Sequence, residues 1–580
     1  MEEFYMYGYF VLVLHTHLPY VIGHGRWPHG MDWLSEAASE CYIPLLNTFN
    51  DLKNEGVNFK VTINISPVLA EQLASREFIE EFLQYLQMRI RLAEGDEIEF
   101  TRTGRKNLVK VAKFWKEYYQ NILESFTNRY NQNLISAFRE LQDSGNVEII
   151  TCAATHGYLP LLALDTSIQA QVKLGVKVYE KYFGRKPKGI WLPECAYRPG
   201  YRWKMPVQPE DGSEVIEYER KGIEEFLSEN GIEFFIIDTA TLKGGKTIGV
   251  YLERFEGLRK LWEQFESQVK YRPEEEKSPY EIYLVSSGKP EKKPVAVLTR
   301  DPKTGLQVWS GEWGYPGDGW YLDFHKKKFP SGLRYWRVTN SKADLADKLE
   351  YEIEKVESRL EENSSHFVEL ITMTLKEHFE QTGNVGVLTA PYDTELFGHW
   401  WFEGPRFLKK VFQKLNRSGF VKPATASEAI EKLNPSVVIS LPEGSWGEGG
   451  YHYIWLNKDT EWTWRHIYAN ELRMRELARK FADSSDEKLI FMLKQLAREL
   501  LLLQASDWQF LISTISARDY AEMRFVFHNE NFTKIADMIE RYASTGELSF
   551  EEWNFVVECA ERDNIFDEID IKWWADVEFL

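Results

Sequence analysis

Short runs of apolar, β-branched and aromatic residues recur along the chain, and each stops abruptly at polar residues. Residues 10–14 run into His15, His17 and Pro19, residues 59–65 carry Asn64 and stop at Ser66 and Pro67, and residues 147–153 stop at Thr155, His156 and Gly157. Residues 189–192 end in Pro193 and Glu194, residues 233–237 in Asp238, and residues 385–389 lead into Ala390, Pro391, Tyr392 and Asp393. Continuous apolar runs of this length predict strands buried on both faces. Residues 295–298 and 306–309 also read as extended. Between these runs the 3.6-residue period predicts helices over much of 68–144, over 166–183, over 343–382 and over 405–417.

About seven strands separated by helices predict an α/β fold built on a parallel barrel, in which the C-terminal strand ends face the site. Polar residues placed at random would not keep choosing the same end of the strand. His15 and His17 are two apart in an extended stretch and so point the same way. The reading is poor over 243–294, where charged stretches and Gly288-Lys289-Pro290 suggest an insertion or loop in the barrel. The barrel is therefore expected over 1–404, with that insertion, and a C-terminal domain over 405–580, all-helical from about residue 460.

Composition narrows the ligand. With 70 Lys plus Arg against 89 Asp plus Glu, the net charge is -19, which repels nucleic acid and anionic membrane. Aromatic residues make up 14% of the chain, including 20 Trp, more than core packing usually requires, and amphipathic rings suit the faces of sugars. Cys41, Cys152, Cys195 and Cys559 lie far apart in no metal-binding or disulfide spacing, so a reduced, cytoplasmic chain is expected. The acidic start and the short run of residues 9–14 do not fit a signal peptide, and no run of 18 apolar residues offers a membrane span. Frequent Glu and Lys pairs hint at a heat-tolerant source.

Glu194 and Asp393 at two strand ends of one cup supply what glycosidic bond cleavage needs, a nucleophile opposite a protonated acid. The aromatic and cationic residues after Glu194 (Tyr197, Arg198, Arg202) favour its charged form, whereas Asp393 beside Tyr392 and Phe397 is desolvated and keeps a proton. Glu194 is thus read as nucleophile and Asp393 as acid/base. Blander readings stand beside this one: a Glu salt-bridged to Arg198 or Arg202, and hydrogen-bonded strand-end histidines. His15, His17, His156 and Asp393 are also a possible divalent-metal set, as in a metal-dependent deacetylase barrel.

The strings HTHLPYV (15–21), THGYLP (155–160), WLPECAYRPG (191–200), VWSGEWGYPGDG (308–319), PYDTELFGHWWFEGP (391–405) and SWGEGGYHYIWLN (445–457) resemble the motifs of family-57 glycoside hydrolases. Within that family they are similar to the 1,4-α-glucan branching enzymes, over residues 10 to about 530. The resemblance implies a distorted (β/α)7 barrel with a helical C-terminal domain, a retaining mechanism, no metal or other cofactor, and α-glucan as the partner; a monomer is expected. It makes Glu194 the nucleophile and Asp393 the acid/base, and sets His15, His17 and His156 to hydrogen-bond the sugar beside the scissile bond. Trp27, Trp33, Trp309, Trp446 and Trp455 match groove-lining positions, and Arg300, Gly317 and Asp507 match substrate-contacting ones. For any one Trp, core packing is the competing reading. The family's water-excluding lid carries a Tyr that falls within 243–294, where Tyr251, Tyr271, Tyr280 and Tyr283 compete. An α-amylase or 4-α-glucanotransferase on the same scaffold, or a glucan-binding protein without turnover, are the alternatives.

Overall fold

The apolar runs become strands β1 (Gly8–Thr16), β2 (Val61–Ile65), β3 (Val147–Cys152), β4 (Gly189–Trp191), β5 (Phe234–Ile237), β6 (Val295–Thr299) and β7 (Gly386–Asp393). They are taken from a computed structural model that describes residues 6–244, 255–268 and 277–577. The strands pair in the order β7-β1-β2-β3-β4-β5-β6, every neighbouring pair parallel. β6 and β7 meet in a single parallel bridge, Arg300 with Thr389, beside which the Asp301 N–H donates to the Thr389 carbonyl at 2.8 Å. The seven-stranded barrel therefore closes only at its mouth. Below that point the seam is filled by Tyr283–Val285, antiparallel to β6, and by the Tyr280 carbonyl, which accepts from Val387 N–H. This is the distorted (β/α)7 barrel the sequence implied.

Helices cover the outside for the reasons their periodicity gave. Arg76–Arg102 buries Phe78, Phe82, Tyr85, Leu86, Ala93 and Phe100 along one stripe, opposite Leu108, Val111, Trp115, Tyr119 and Ile122 of Lys106–Glu124. Ser75 caps the first of these by accepting from Phe78 N–H. A fully buried Phe of this kind stabilises the fold by about 1.5–3 kcal/mol.

Two segments differ from expectation. Residues 306–309 are not extended but end a helix, Pro302–Trp309. Asp301 caps it, accepting from the Thr304 N–H and hydroxyl at 2.6 Å each, and Pro302 sits in the first turn, where its missing N–H costs nothing. The helix expected from 343 begins at Ile353, and the chain before it is tied in bridges such as Trp336 with Glu350.

Helix Gly404–Ser418 packs against Ile353–Thr382, and the strand Val421–Pro423 pairs with β1. Beyond residue 460 come Glu461–Phe481, Glu487–Leu503, Asp507–Ser513, Arg518–Thr545 and Phe550–Arg562. The break between the second and third of these turns back onto the barrel. There Ala505 bridges Gly157, and the Ser506 N–H donates to the His156 carbonyl at 3.0 Å. Among the described residues, no helix is long and apolar enough to cross a membrane.

Candidate active site

Glu194 leaves β4 after Pro193 in a left-handed turn, with φ 61° at Glu194 and 49° at Cys195, and His156 beyond β3 has φ 60°. Non-glycine residues hold this conformation only where surroundings enforce it, and such residues cluster at functional sites. Enforcement comes from the loop around Ser445. Tyr197 and Gly444 exchange backbone hydrogen bonds, and Trp446 N–H donates to the Glu194 carbonyl at 3.0 Å.

The Glu194 carboxyl lies in a small, largely enclosed polar set. Trp446 Nε1–H donates to Oε2 at 2.8 Å, and Ser506 Oγ lies 3.1 Å from Oε1. Ser506 Oγ is also 2.8 Å from His156 Nδ1, His156 Nε2 is 3.0 Å from His15 Nε2, and His15 Nδ1 is 2.7 Å from Asn64 Oδ1. His17 meets Ser66 Oγ through Nδ1 at 2.8 Å and Asp507 through Nε2 at 3.0 Å. Burial pushes Glu194 up to about 7, the Trp446 donor opposing it. Burial holds His15 and His156 well below the ordinary imidazole range, with neighbouring imidazoles adding to the effect, so both are neutral.

The expected cationic neighbours of Glu194 are absent from it, which corrects the reading of its charge. Arg198 turns into a buried pairing with Asp165 and the Lys221 carbonyl, and Arg202 pairs with Glu217 at the surface. Asp393 ends β7 and is pushed well above the ordinary carboxylate range, first by burial and then by Glu395 and Glu194. That agrees with the desolvation argued for it.

The three histidines do stack: His17 on His156 at 4.0 Å and 14°, His15 on His156 at 4.9 Å and 21°, and His15 on Trp191 at 4.6 Å and 11°. All six ring nitrogens are engaged within the protein. Among the described residues His17, His156 and Asp507 bring one ligand atom each within 4.8 Å of one another, whereas Asp393 is not part of that group. With every ring nitrogen engaged, a sugar hydroxyl would share or displace an existing bond rather than find a free nitrogen.

Trp446 stands edge-on to Trp191 (5.0 Å) and to Trp309 (5.9 Å), and the Arg300 guanidinium lies 5.8 Å from both the Trp309 and the Trp446 ring. Asp238 at the end of β5 pairs with Arg300 at 3.3 Å. Gly317 closes the loop before it: a Cβ there would meet the Gly311 carbonyl oxygen at 2.2 Å. Trp455 is fully buried and stacked on Tyr158 at 4.4 Å, beneath the site rather than open to it. Trp27 is 79% exposed, and Trp33 packs edge-on against His29; neither joins the aromatic chain around Glu194. Tyr280 donates to Asp301 and Tyr283 to Glu281, whereas Tyr251 and Tyr271 lie outside the described residues.

Sequence reasoning did not single out Ser506, Asn64, Ser66, Trp191 or Asp238 for the site. Asn64, Ser66 and Asp238 carried the same strand-end signal as the histidines. Ser506 sits in a helical stretch and carried none beyond its neighbour Asp507.

The family model for glycosyl hydrolase family 57 matches residues 11–442, and that for the 1,4-alpha-glucan branching enzyme C-terminal region matches residues 466–574. A curated 1,4-alpha-glucan branching enzyme of Thermococcus kodakarensis is 42% identical over 97% of this chain and 78% of its own length. The crystal structure of a family-57-type branching enzyme from Pyrococcus horikoshii superposes with a TM-score of 0.86 at 42% identity, covering 99% of this chain and 98% of that one. The α-amylase AmyC of Thermotoga maritima superposes with a TM-score of 0.79 at 30% identity, covering 99% and 100%.

Proposed function

The chain belongs to glycoside hydrolase family 57, and on that premise we propose that it is a 1,4-α-glucan branching enzyme working by a retaining double displacement. The observation that carries the reading is the delivery of Glu194 and Asp393 to one barrel mouth, both buried but unequally so in effect. Glu194 accepts from the Trp446 indole N–H and has the Ser506 hydroxyl beside it, which moderates its rise to about 7, whereas Asp393 is held well above the ordinary carboxylate range by burial.

In the first step Glu194 bonds to C1 of the donor glucose while the C1–O4 bond breaks, and Asp393 gives its proton to the departing O4. In the second, a glucan 6-hydroxyl attacks C1, its proton returns to Asp393, and Glu194 is released. Two inversions restore the α configuration and leave an α-1,6 branch. Trp309, Trp446 and Arg300 form a wall against which sugar rings stack, and Asp507 offers acceptors to sugar hydroxyls. Trp27, Trp33 and Gly317 belong to the loops that extend the groove, and Trp455 supports it from below. His15, His17 and His156 serve the sugar chiefly through the groups they position. The product is a glycogen-like polymer, and the enzyme is cytoplasmic.

Hydrolysis is the rival, because the amylase of Thermotoga maritima shares the scaffold. Incubation with amylose, isoamylase debranching and proton NMR separate the two. New α-1,6 signal with few reducing ends supports branching; reducing ends without α-1,6 signal overturn it in favour of an amylase.

A further inference from the structure

Four hydrogen-bond gaps connect Glu194 Oε1 to Asn64 Oδ1. They run from Glu194 to Ser506 (3.1 Å), Ser506 to His156 Nδ1 (2.8 Å), His156 Nε2 to His15 Nε2 (3.0 Å) and His15 Nδ1 to Asn64 (2.7 Å). Each gap needs one hydrogen. The Ser506 hydroxyl and two neutral imidazoles carry three between them.

The far end is fixed, because Asn64 Nδ2 donates to the carbonyls of Ile150 and Thr151 and so turns Oδ1 toward His15. Counted from that end, His15 donates through Nδ1 and accepts at Nε2. His156 then donates through Nε2 and accepts at Nδ1, and Ser506 donates to His156. The last gap, between Ser506 and Glu194, is filled only if Glu194 itself carries a proton. The same four gaps are also filled if Glu194 is a carboxylate and one imidazole is an imidazolium.

We propose that Ser506, His156 and His15 form a relay that keeps one proton beside the nucleophile throughout turnover, resting on Glu194 and moving to the imidazole pair when Glu194 attacks. The proposal rests on reading Glu194 as the nucleophile. In the transfer the Glu194 O–H bond breaks and an O–H bond forms on Ser506. The original Ser506 O–H breaks and an N–H forms at His156 Nδ1, giving carboxylate and imidazolium. His156 can pass its Nε2 hydrogen on to His15, spreading the charge over the pair. When the glycosyl-enzyme is resolved the proton returns, so nothing is consumed.

Burial raises Glu194 and depresses both histidines, which sets the resting place of the proton on the carboxyl. The other groups facing Glu194 are Trp446, Asp507 and His17, with Asp393 across the mouth and Arg300 over the far ring of Trp446. Asp507 and His17 satisfy each other and Ser66, and so lie outside the relay. A relay of this kind spares a closed site any proton exchange with water between the two steps.

The test uses the full chain labelled with 15N-histidine, free and after trapping the glycosyl-enzyme with a 5-fluoro-α-maltosyl fluoride. In the free protein both imidazoles are neutral, one as the Nδ1–H and one as the Nε2–H tautomer. In the trapped protein, where Glu194 is an ester, one imidazole is protonated on both nitrogens. Ser506→Ala is expected to lose that imidazolium, to move the acidic limb of kcat/KM to higher pH and to lower kcat about 10- to 100-fold with KM little changed, and Ser506→Thr to restore all three.

Two neutral imidazoles in the trapped wild-type protein, or a wild-type rate and pH profile in Ser506→Ala, overturn the relay. If Ser506→Ala does not fold, the wild-type comparison alone decides. Glu194→Gln separates the two readings: turnover in that variant sinks the assignment of Glu194, whereas an inert Glu194→Gln with no imidazolium in the trapped wild-type protein sinks the relay alone.

Discussion

His15 on β1 lies directly opposite Asp393 on β7 in the parallel ladder between those strands. That register, eight residue pairs long, places His15 and Asp393 on adjacent strands of one mouth, with Glu194 reached across β2 and β3. The ladder leaves no freedom to slip, because a one-residue shift would turn every inward side chain outward.

Glu194→Gln and Asp393→Asn each keep the shape of the carboxyl and its neutral hydrogen bonding. Each is expected to lower kcat on amylose by more than about 1,000-fold while glucan binding stays within a few-fold. Affinity electrophoresis on glycogen beside a turnover assay checks both halves. Activity near wild type in either variant removes that residue from its role.

Trp446→Phe keeps a ring but loses the N–H that reaches Glu194 Oε2 at 2.8 Å. On the proposed mechanism Glu194 loses a donor as it becomes charged, so kcat is expected to fall about 10- to 100-fold. The acidic limb of the kcat/KM profile moves to higher pH, since a donor to the carboxylate had been lowering its pKa. An unmoved limb would mean that the indole N–H does not act on Glu194.

Burial raises Glu194, Glu224, Glu395 and Glu471 each to about 7. A carboxyl raised in the folded state contributes stability that is fully present below its unfolded value of 4.5 and is lost as pH climbs through the folded one. The melting temperature should therefore fall between pH 5 and pH 8. Glu224→Gln, which keeps an oxygen to accept from the Tyr197 hydroxyl, should flatten that fall. Calorimetry at the two pH values decides, and an identical slope in the variant would refute the assignment.

Gly398 has φ +120°, and a Cβ there would meet the Glu40 carbonyl oxygen at 1.9 Å. Neither the backbone nor its neighbour can yield cheaply, so Gly398→Ala should cost about 4 kcal/mol or more. Denaturant unfolding measures it, and a loss under 1 kcal/mol, about the ordinary cost of a point substitution, would contradict the packing of this corner.

Tyr280 and Tyr283 are tied to Asp301 and Glu281 at the barrel seam. Tyr280→Phe and Tyr283→Phe should each cost about 1 kcal/mol of stability, the worth of one hydrogen bond. The ratio of α-1,6 linkages to reducing ends should stay at the wild-type value. A shift toward hydrolysis in either variant would make that Tyr part of the water-excluding device.

The strands and their polar ends were legible because a parallel strand buried on both faces has to be apolar along its length and can turn polar only where it meets the mouth. Asp393 was legible in the same way, since its desolvation follows from the apolar residues beside it in sequence. The charge environment of Glu194 was not. Sequence neighbours such as Arg198 diverge after the left-handed turn, and the donors come instead from Trp446 and Ser506, 252 and 312 residues on. The helix Pro302–Trp309 was misread because four residues, Leu306 to Trp309, fit either period. Its true signal was the Asp301-Pro302 start with Thr304 two residues on.

The contact between Ser506 and Glu194 also joins parts of the chain made far apart in time. A chain emerging from the ribosome holds all seven barrel strands once residue 393 is out, but Trp446, which braces the turn at Glu194, follows later, and Ser506 and Asp507 more than a hundred residues later. Until the helical region docks, a newborn barrel holds Glu194 without the hydroxyl beside Oε1 and His17 without the Asp507 carboxylate. The pocket around this carboxyl is thus assembled from both ends of the sequence and is complete only in the finished molecule.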